Sequence, residues 1–167
     1  MLKLEIKKYP DPILREKCES VDEITTEVKE FCRRMLKIMY KENGVGLAAS
    51  QVGDKRRIIT IDIGRGPFCL VNPKIISQSN NLVADYEGCL SLPGLNLRIK
   101  RPGLVEVEGY LLQKEQVVKI KADGLLARAL QHEIDHLDGK LIVDYKVSSI
   151  ITKPDKSTSQ NKDKGIQ

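Results

Sequence analysis

Apolar residues recur at helical spacing over one early stretch of the chain. Ile24, Val28, Phe31, Cys32, Met35, Leu36 and Met39 fall on one face of a helix. Ser20 followed by Glu23 has the form of a capping box, and Asn43-Gly44 is a helix stop. The spacing therefore predicts a long amphipathic N-terminal helix over about 22–42. Pro10 and Pro12 exclude a helix before it. From Arg57 the pattern shortens to runs rich in Ile and Val, at 57–62, 68–71, 74–79 and 81–86. Gly64-Arg65-Gly66-Pro67, Asn72-Pro73 and Asn80-Asn81 separate them with turn chemistry. Residues 104–112 and 116–121 read as a hairpin. Connections this short favour antiparallel or mixed pairing, because a parallel crossover needs a dozen or more residues. Helical spacing returns in Leu126, Leu130, Ile134 and Leu137, which predicts a second helix over about 124–138. The glycine-rich stretch Gly44–Gln51 between these regions reads as a loop. After Tyr145 the apolar signal fades. The expected fold is α+β, with short antiparallel or mixed sheets packed around the second helix. One domain is expected over 1–151, with a polar, flexible tail over 152–167.

Composition narrows the function classes. The chain has 167 residues and a formal net charge of +5, from 28 basic and 23 acidic residues. That excess is too small and too dispersed for a dedicated nucleic-acid binder. No run approaches the ~20 apolar residues that span a bilayer, and the first residues lack the apolar core of a signal peptide. A cytoplasmic protein with reduced thiols is expected. Cys18, Cys32, Cys69 and Cys89 form no C-x-x-C pair.

The second predicted helix carries the chemistry. His132 and His136 are the only two histidines of the chain, and they stand four apart in Gln131-His132-Glu133-Ile134-Asp135-His136. At that spacing two imidazoles share a helix face and can grip one metal ion. Glu133 points to the same side and can move protons on a metal-activated water without being a ligand. A catalytic site wants three protein ligands and an open position. No histidine or glutamate follows His136, so the third ligand is sought upstream. Cys89, in Glu87-Gly88-Cys89-Leu90-Ser91, has the flanking residues of an accessible strand-end thiol. Spacing alone prefers it to the other cysteines without excluding them. Gln51 reads equally well as a surface side chain or as part of a site.

Three separated segments resemble one family, the peptide deformylases: G-x-G-L-A-A-x-Q at 44–51, E-G-C-L-S at 87–91 and Q-H-E-x-D-H at 131–136. The resemblance spans roughly residues 2–145. It implies Cys89, His132 and His136 as ligands of one divalent metal ion, with Fe(II) native and Zn, Ni or Co able to substitute. It implies removal of the N-formyl group from the N-terminal formyl-methionine of nascent polypeptides, releasing formate. Glu133 would then shuttle the proton, and the Gln51 amide and Leu90 backbone N–H would stabilise charge on the formyl oxygen. Val45, Gly46, Tyr86, Leu125, Arg128 (through its stem) and Ala129 would bind substrate, with peptide backbone added as a strand along Val45-Gly46 and the segment after Cys89. Glu87 and Arg101 would form a supporting ion pair. The family relation also implies a monomer, nascent chains as partners and a transient ribosome contact. Asn96 stands where some members carry Arg, and the short polar tail differs from the long C-terminal helix of others. Two rival readings share the H-E-x-x-H helix: a zinc metallopeptidase, and a silent relative that binds peptide N-termini.

Overall fold

A computed structural model describes residues 4–147 and 149–152. A 3-10 turn at Pro12–Arg15 precedes helix α1 (Thr26–Lys41). Strand β1 (Gly46–Ala48) runs into a second 3-10 turn, Ala49–Val52. The strands β2 (Ile58–Ile61), β3 (Phe68–Gln78), β4 (Leu82–Cys89), β5 (Leu92–Pro102), β6 (Leu104–Leu111) and β7 (Gln116–Asp123) follow. Helix α2 (Gly124–Leu137), a 3-10 turn at Ile142–Asp144 and β8 (Ser149–Thr152) complete the described chain. One sheet has the order β1-β2-β3-β6-β7 and the other β4-β5-β8. Every strand pairing in them is antiparallel.

The five-stranded sheet is sandwiched between the two helices, and the two-residue period of its strands decides which side chain meets which helix. Leu47, Ile58, Cys69 and Val71 join Val28, Phe31, Cys32, Met35 and Met39 of α1 in one buried layer. Ala48, Ile59, Ile61 and Leu70 turn the other way, onto Ala127, Ala129, Leu130, Ile134 and Leu137 of α2. All four residues of β2 are buried, as befits a strand covered on both faces. A third cluster, with Leu14, Leu92, Leu97, Ile99, Leu141 and Ile142, backs the three-stranded sheet.

The α+β class and the two helices agree with the sequence. The long N-terminal amphipathic helix does not. Helix α1 begins only at Thr26, with Thr25 as N-cap accepting from the Val28 N–H at 3.3 Å. Ser20 and Glu23 lie outside it because Asn72 holds the backbone there. Its side chain accepts from the Val21 N–H and donates to the Val21 carbonyl, both at 2.8 Å. The same Asn72, in the left-handed region at φ 55°, carries β3 past Pro73 through a register shift, so the two short strands expected at 68–71 and 74–79 are one. Part of the loop expected at Gly44–Gln51 is strand β1. Strand β5 has no counterpart among the expected elements, although Leu95, Leu97 and Ile99 alternate. At the C-terminus β8 extends the order to Thr152; the rest of the expected tail lies outside the described residues.

Candidate metal centre and active-site cleft

Helix α2 stands against the sheet through its Ala127, Leu130, Ile134 and Leu137 face, which turns His132 and His136 toward β4. Its C-terminus closes at Asp138, and Gly139 takes the left-handed conformation at φ 72°. Strand β4 ends in a break of register: Gly88 pairs with Asn96, but Cys89 already pairs with Leu92 across a tight turn. That turn brings the Cys89 thiol to 3.3 Å from His136 Nε2, which is 3.2 Å from His132 Nε2. One ligand atom from each of the three residues lies within 4.8 Å of the other two. A sulfur and two imidazole nitrogens converging this closely fit a borderline-soft divalent ion such as iron, cobalt, nickel or zinc.

A carboxylate two residues before Cys89 on the same strand face orients the first imidazole. Glu87 Oε2 is 2.9 Å from His132 Nδ1, which leaves Nε2 for the centre. Glu87 also accepts from Arg101 Nε at 2.5 Å and Nη2 at 2.9 Å, and from Arg128 Nη1 at 2.8 Å. Burial works to raise the Glu87 carboxyl, but the hydrogen bonds from His132 and Arg101 outweigh it and hold it at about 2. Arg101 is held in turn by Asp135 at 2.8 Å and by the Tyr145 hydroxyl oxygen at 3.0 Å, and that hydroxyl donates to Asp135 at 2.6 Å.

Glu133 is differently placed. It is buried, and its Oε2 has no hydrogen-bond partner among the described residues. Burial pushes its carboxyl up to about 7, against the nearby charge of His132. Gly46 makes room for it: a Cβ on that residue would stand 2.9 Å from Glu133 Cδ and Cγ. A carboxyl balanced near neutrality beside a metal-type centre can exchange protons in either direction.

These groups open on one cleft of about 470 Å³. Val45, Gly46, Gln51, Tyr86, Cys89, Leu90, Leu125, Arg128, Ala129, His132 and Glu133 all line it. His136, almost fully buried, adjoins it through Cys89 and His132, at 3.3 and 3.2 Å. The structure thus gathers every candidate residue from three distant segments. The Arg128 head turns away to Glu87 and to the Val83 carbonyl, leaving its stem for the wall. Asn96 also lines the cleft, beside Pro93, Gly94 and Leu95, which sequence reasoning names only as the segment after Cys89. It passes over Ser91, Asp135 and Tyr145. For Ser91 and Asp135 the signal was present, since both fall inside motif segments.

The comparisons agree with this geometry. The profile described as polypeptide deformylase matches residues 3–151. The peptide deformylase of Thermodesulfovibrio yellowstonii is 45% identical over 152 residues, covering 88% of this chain and 90% of that protein. That of Dictyoglomus thermophilum is also 45% identical over 152 residues, covering 91% and 98%. The crystal structure of the Thermotoga maritima peptide deformylase superposes with a TM-score of 0.83 at 35% identity, over 87% of this chain and 98% of that one. The Synechococcus elongatus peptide deformylase, solved with actinonin, gives 0.82 at 42% identity, over 85% and 78%. With the match running over residues 3–151 and the three motif segments meeting in one cleft, the chain belongs to the polypeptide deformylase family.

Proposed function

We propose that this chain is a metal-dependent amide hydrolase that removes the N-formyl group from the N-terminal formyl-methionine of nascent polypeptides, releasing formate. One observation carries the reading: Cys89, His132 and His136 converge beside a buried Glu133, whose Oε2 has no hydrogen-bond partner among the described residues, in an apolar-walled cleft. Residues 1–151 act as the catalytic unit. Cys89 Sγ and the two Nε2 atoms hold one divalent ion, Fe(II) in the cell, with Zn, Ni or Co able to replace it. Bound there, the ion supplies Lewis-acid activation of water and of the formyl oxygen.

The protein groups do the rest. Glu133 accepts the proton of the attacking water and passes it to the leaving amine, for which a carboxyl near 7 is suited. The Gln51 side-chain N–H and the Leu90 backbone N–H donate to the formyl oxygen as charge builds on it. Val45, Tyr86, Leu125 and Ala129, with the Arg128 stem, receive the methionine side chain. Gly46 lies on β1, an edge strand of its sheet, where an extended peptide can be added. No described helix is long and apolar enough to cross a membrane, and we assign the reaction to the cytoplasm, on chains emerging from the ribosome. The enzyme is read as a monomer.

The test is incubation of anaerobically purified protein with formyl-Met-Ala-Ser. Formate release supports the deformylase. Cleavage of an internal peptide bond would instead mark a metallopeptidase, and tight metal binding with neither product a silent N-terminus binder.

A further inference from the structure

The Gln51 side chain is almost fully buried, and three partners fix it. Its Oε1 accepts from the Ala48 backbone N–H at 2.9 Å. A backbone N–H can only donate, so the atom facing it is the oxygen, and the amide orientation is settled. Its Nε2 therefore carries the donors. It donates to the Ser91 hydroxyl oxygen at 3.2 Å and to Cys89 Sγ at 3.6 Å. Ser91 is fully buried and is the second residue after Cys89. The terminal torsion of a glutamine is broad, so nothing intrinsic to Gln51 keeps its amide plane in place. The backbone of Ala48 holds the oxygen side; Ser91 holds the nitrogen side. The backbones of Gln51 and Ser91 are also strapped by the N-terminal segment, through Lys7 N–H to the Gln51 carbonyl at 2.7 Å and Tyr9 N–H to the Ser91 carbonyl at 2.9 Å.

We propose that Ser91 is a positioning residue for the reaction: its buried hydroxyl oxygen locks the Gln51 carboxamide so that the second Nε2 hydrogen is held at the Cys89 end of the cleft, where the formyl oxygen would be met. This rests on the deformylase reading and adds to it a residue that never touches substrate. The lock matters in the transition state, where the formyl oxygen gains charge, more than in substrate binding. Its loss should therefore lower kcat and spare KM.

The experiment is a double-mutant cycle on the metal-loaded enzyme with formyl-Met-Ala-Ser, comparing wild type, Ser91→Ala, Gln51→Ala and the pair, with bound metal measured in each. Ser91→Ala should lose about 3- to 10-fold in kcat, the size of one neutral hydrogen bond, at unchanged KM and metal content. In the Gln51→Ala background the same change should cost nothing, because the group it positions is gone. Full kcat in Ser91→Ala, or an equal loss in both backgrounds, overturns the proposal. If Ser91→Ala does not fold, Ser91→Cys, of similar size and with a weak acceptor, is put through the same cycle. A loss confined to the Gln51 background supports the proposal, and none overturns it. Absence of formate from the wild type overturns the deformylase reading itself, whereas formate from the wild type with an unimpaired Ser91→Ala overturns only the role of Ser91.

Discussion

Replacing Glu87 by Gln tests how far the buried ion network supports the metal centre. The carboxylate satisfies four donors: two from Arg101, one from Arg128 and one from His132. The amide keeps one acceptor oxygen and sets an NH₂ group against donors on its other side. Side-chain exposure is 5% for Glu87, 3% for Arg101 and 10% for Arg128, so water cannot replace the lost charge. Breaking a buried pair in this way costs about 3–5 kcal/mol. Arg101 retains Asp135, which favours the lower end. The displacement of the Glu87 carboxyl from 4.5 to about 2 gives an independent figure, roughly 3 kcal/mol at 1.36 kcal/mol per pH unit. For a chain of this size that is a fall in Tm of roughly 6–12 °C. Freed from its carboxylate, His132 should also lose about 10- to 100-fold in metal affinity. Calorimetry of the metal-free protein and chelator competition with Zn(II) measure the two effects separately. The sign with pH follows from a folded-state value below the unfolded one. The wild-type contribution is complete above pH 4.5 and is lost as pH falls toward 2. The variant lacks it throughout, so the two stability curves should converge in acid. A variant with wild-type Tm and metal affinity at pH 7 would refute the assignment of Glu87 as the network's anchor.

Gly46→Ala should retain metal but lose about 100-fold in turnover, because the new Cβ displaces the Glu133 carboxylate; steady-state kinetics with metal analysis decides, and wild-type kcat would mean the carboxylate has room to move. Glu133→Ala should keep its metal and lose about 10²- to 10⁴-fold in formate release; normal turnover would remove Glu133 from the proton path. With Fe(II) as the native ion, enzyme purified without oxygen should lose activity on exposure to air, while the Ni(II)-exchanged form persists. An air-stable, fully active iron form would count against iron.

The parts of the site legible in the sequence are those set by local spacing. His132, Glu133 and His136 share a helix face through the 3.6-residue period, and α2 begins and ends within a residue of its predicted bounds. Cys89 and Gln51 belong to segments that meet only in the folded chain. Spacing ranks them weakly, and the motif pattern brings them in. What the sequence conceals is tertiary. The start of α1 is decided by Asn72, fifty-one positions beyond Val21, which no local capping rule can weigh. Strand β5 is masked by Pro93-Gly94 at its entry, yet it supplies Arg101. The roles of Ser91 and Tyr145 exist only as contacts, Ser91 with Gln51 and Tyr145 with Arg101 and Asp135.

The two faces of the five-stranded sheet divide the molecule's evolutionary freedom. The layer formed by α1, with Cys32, Met35, Met39 and Cys69, lies on the sheet face away from α2, and Leu90 of the cleft packs against it. Changes there reach the reaction indirectly, through Leu90 or by moving the backbones of β1 and β2. Heat or oxidation tolerance can thus be sought by exchanging the sulfur-containing residues of this layer for aliphatic ones of equal volume. On the opposite face Ala127, Ala129, Leu130, Ile134 and Leu137 share α2 with His132, Glu133 and His136, so substitutions there act on the imidazoles and the carboxylate more directly.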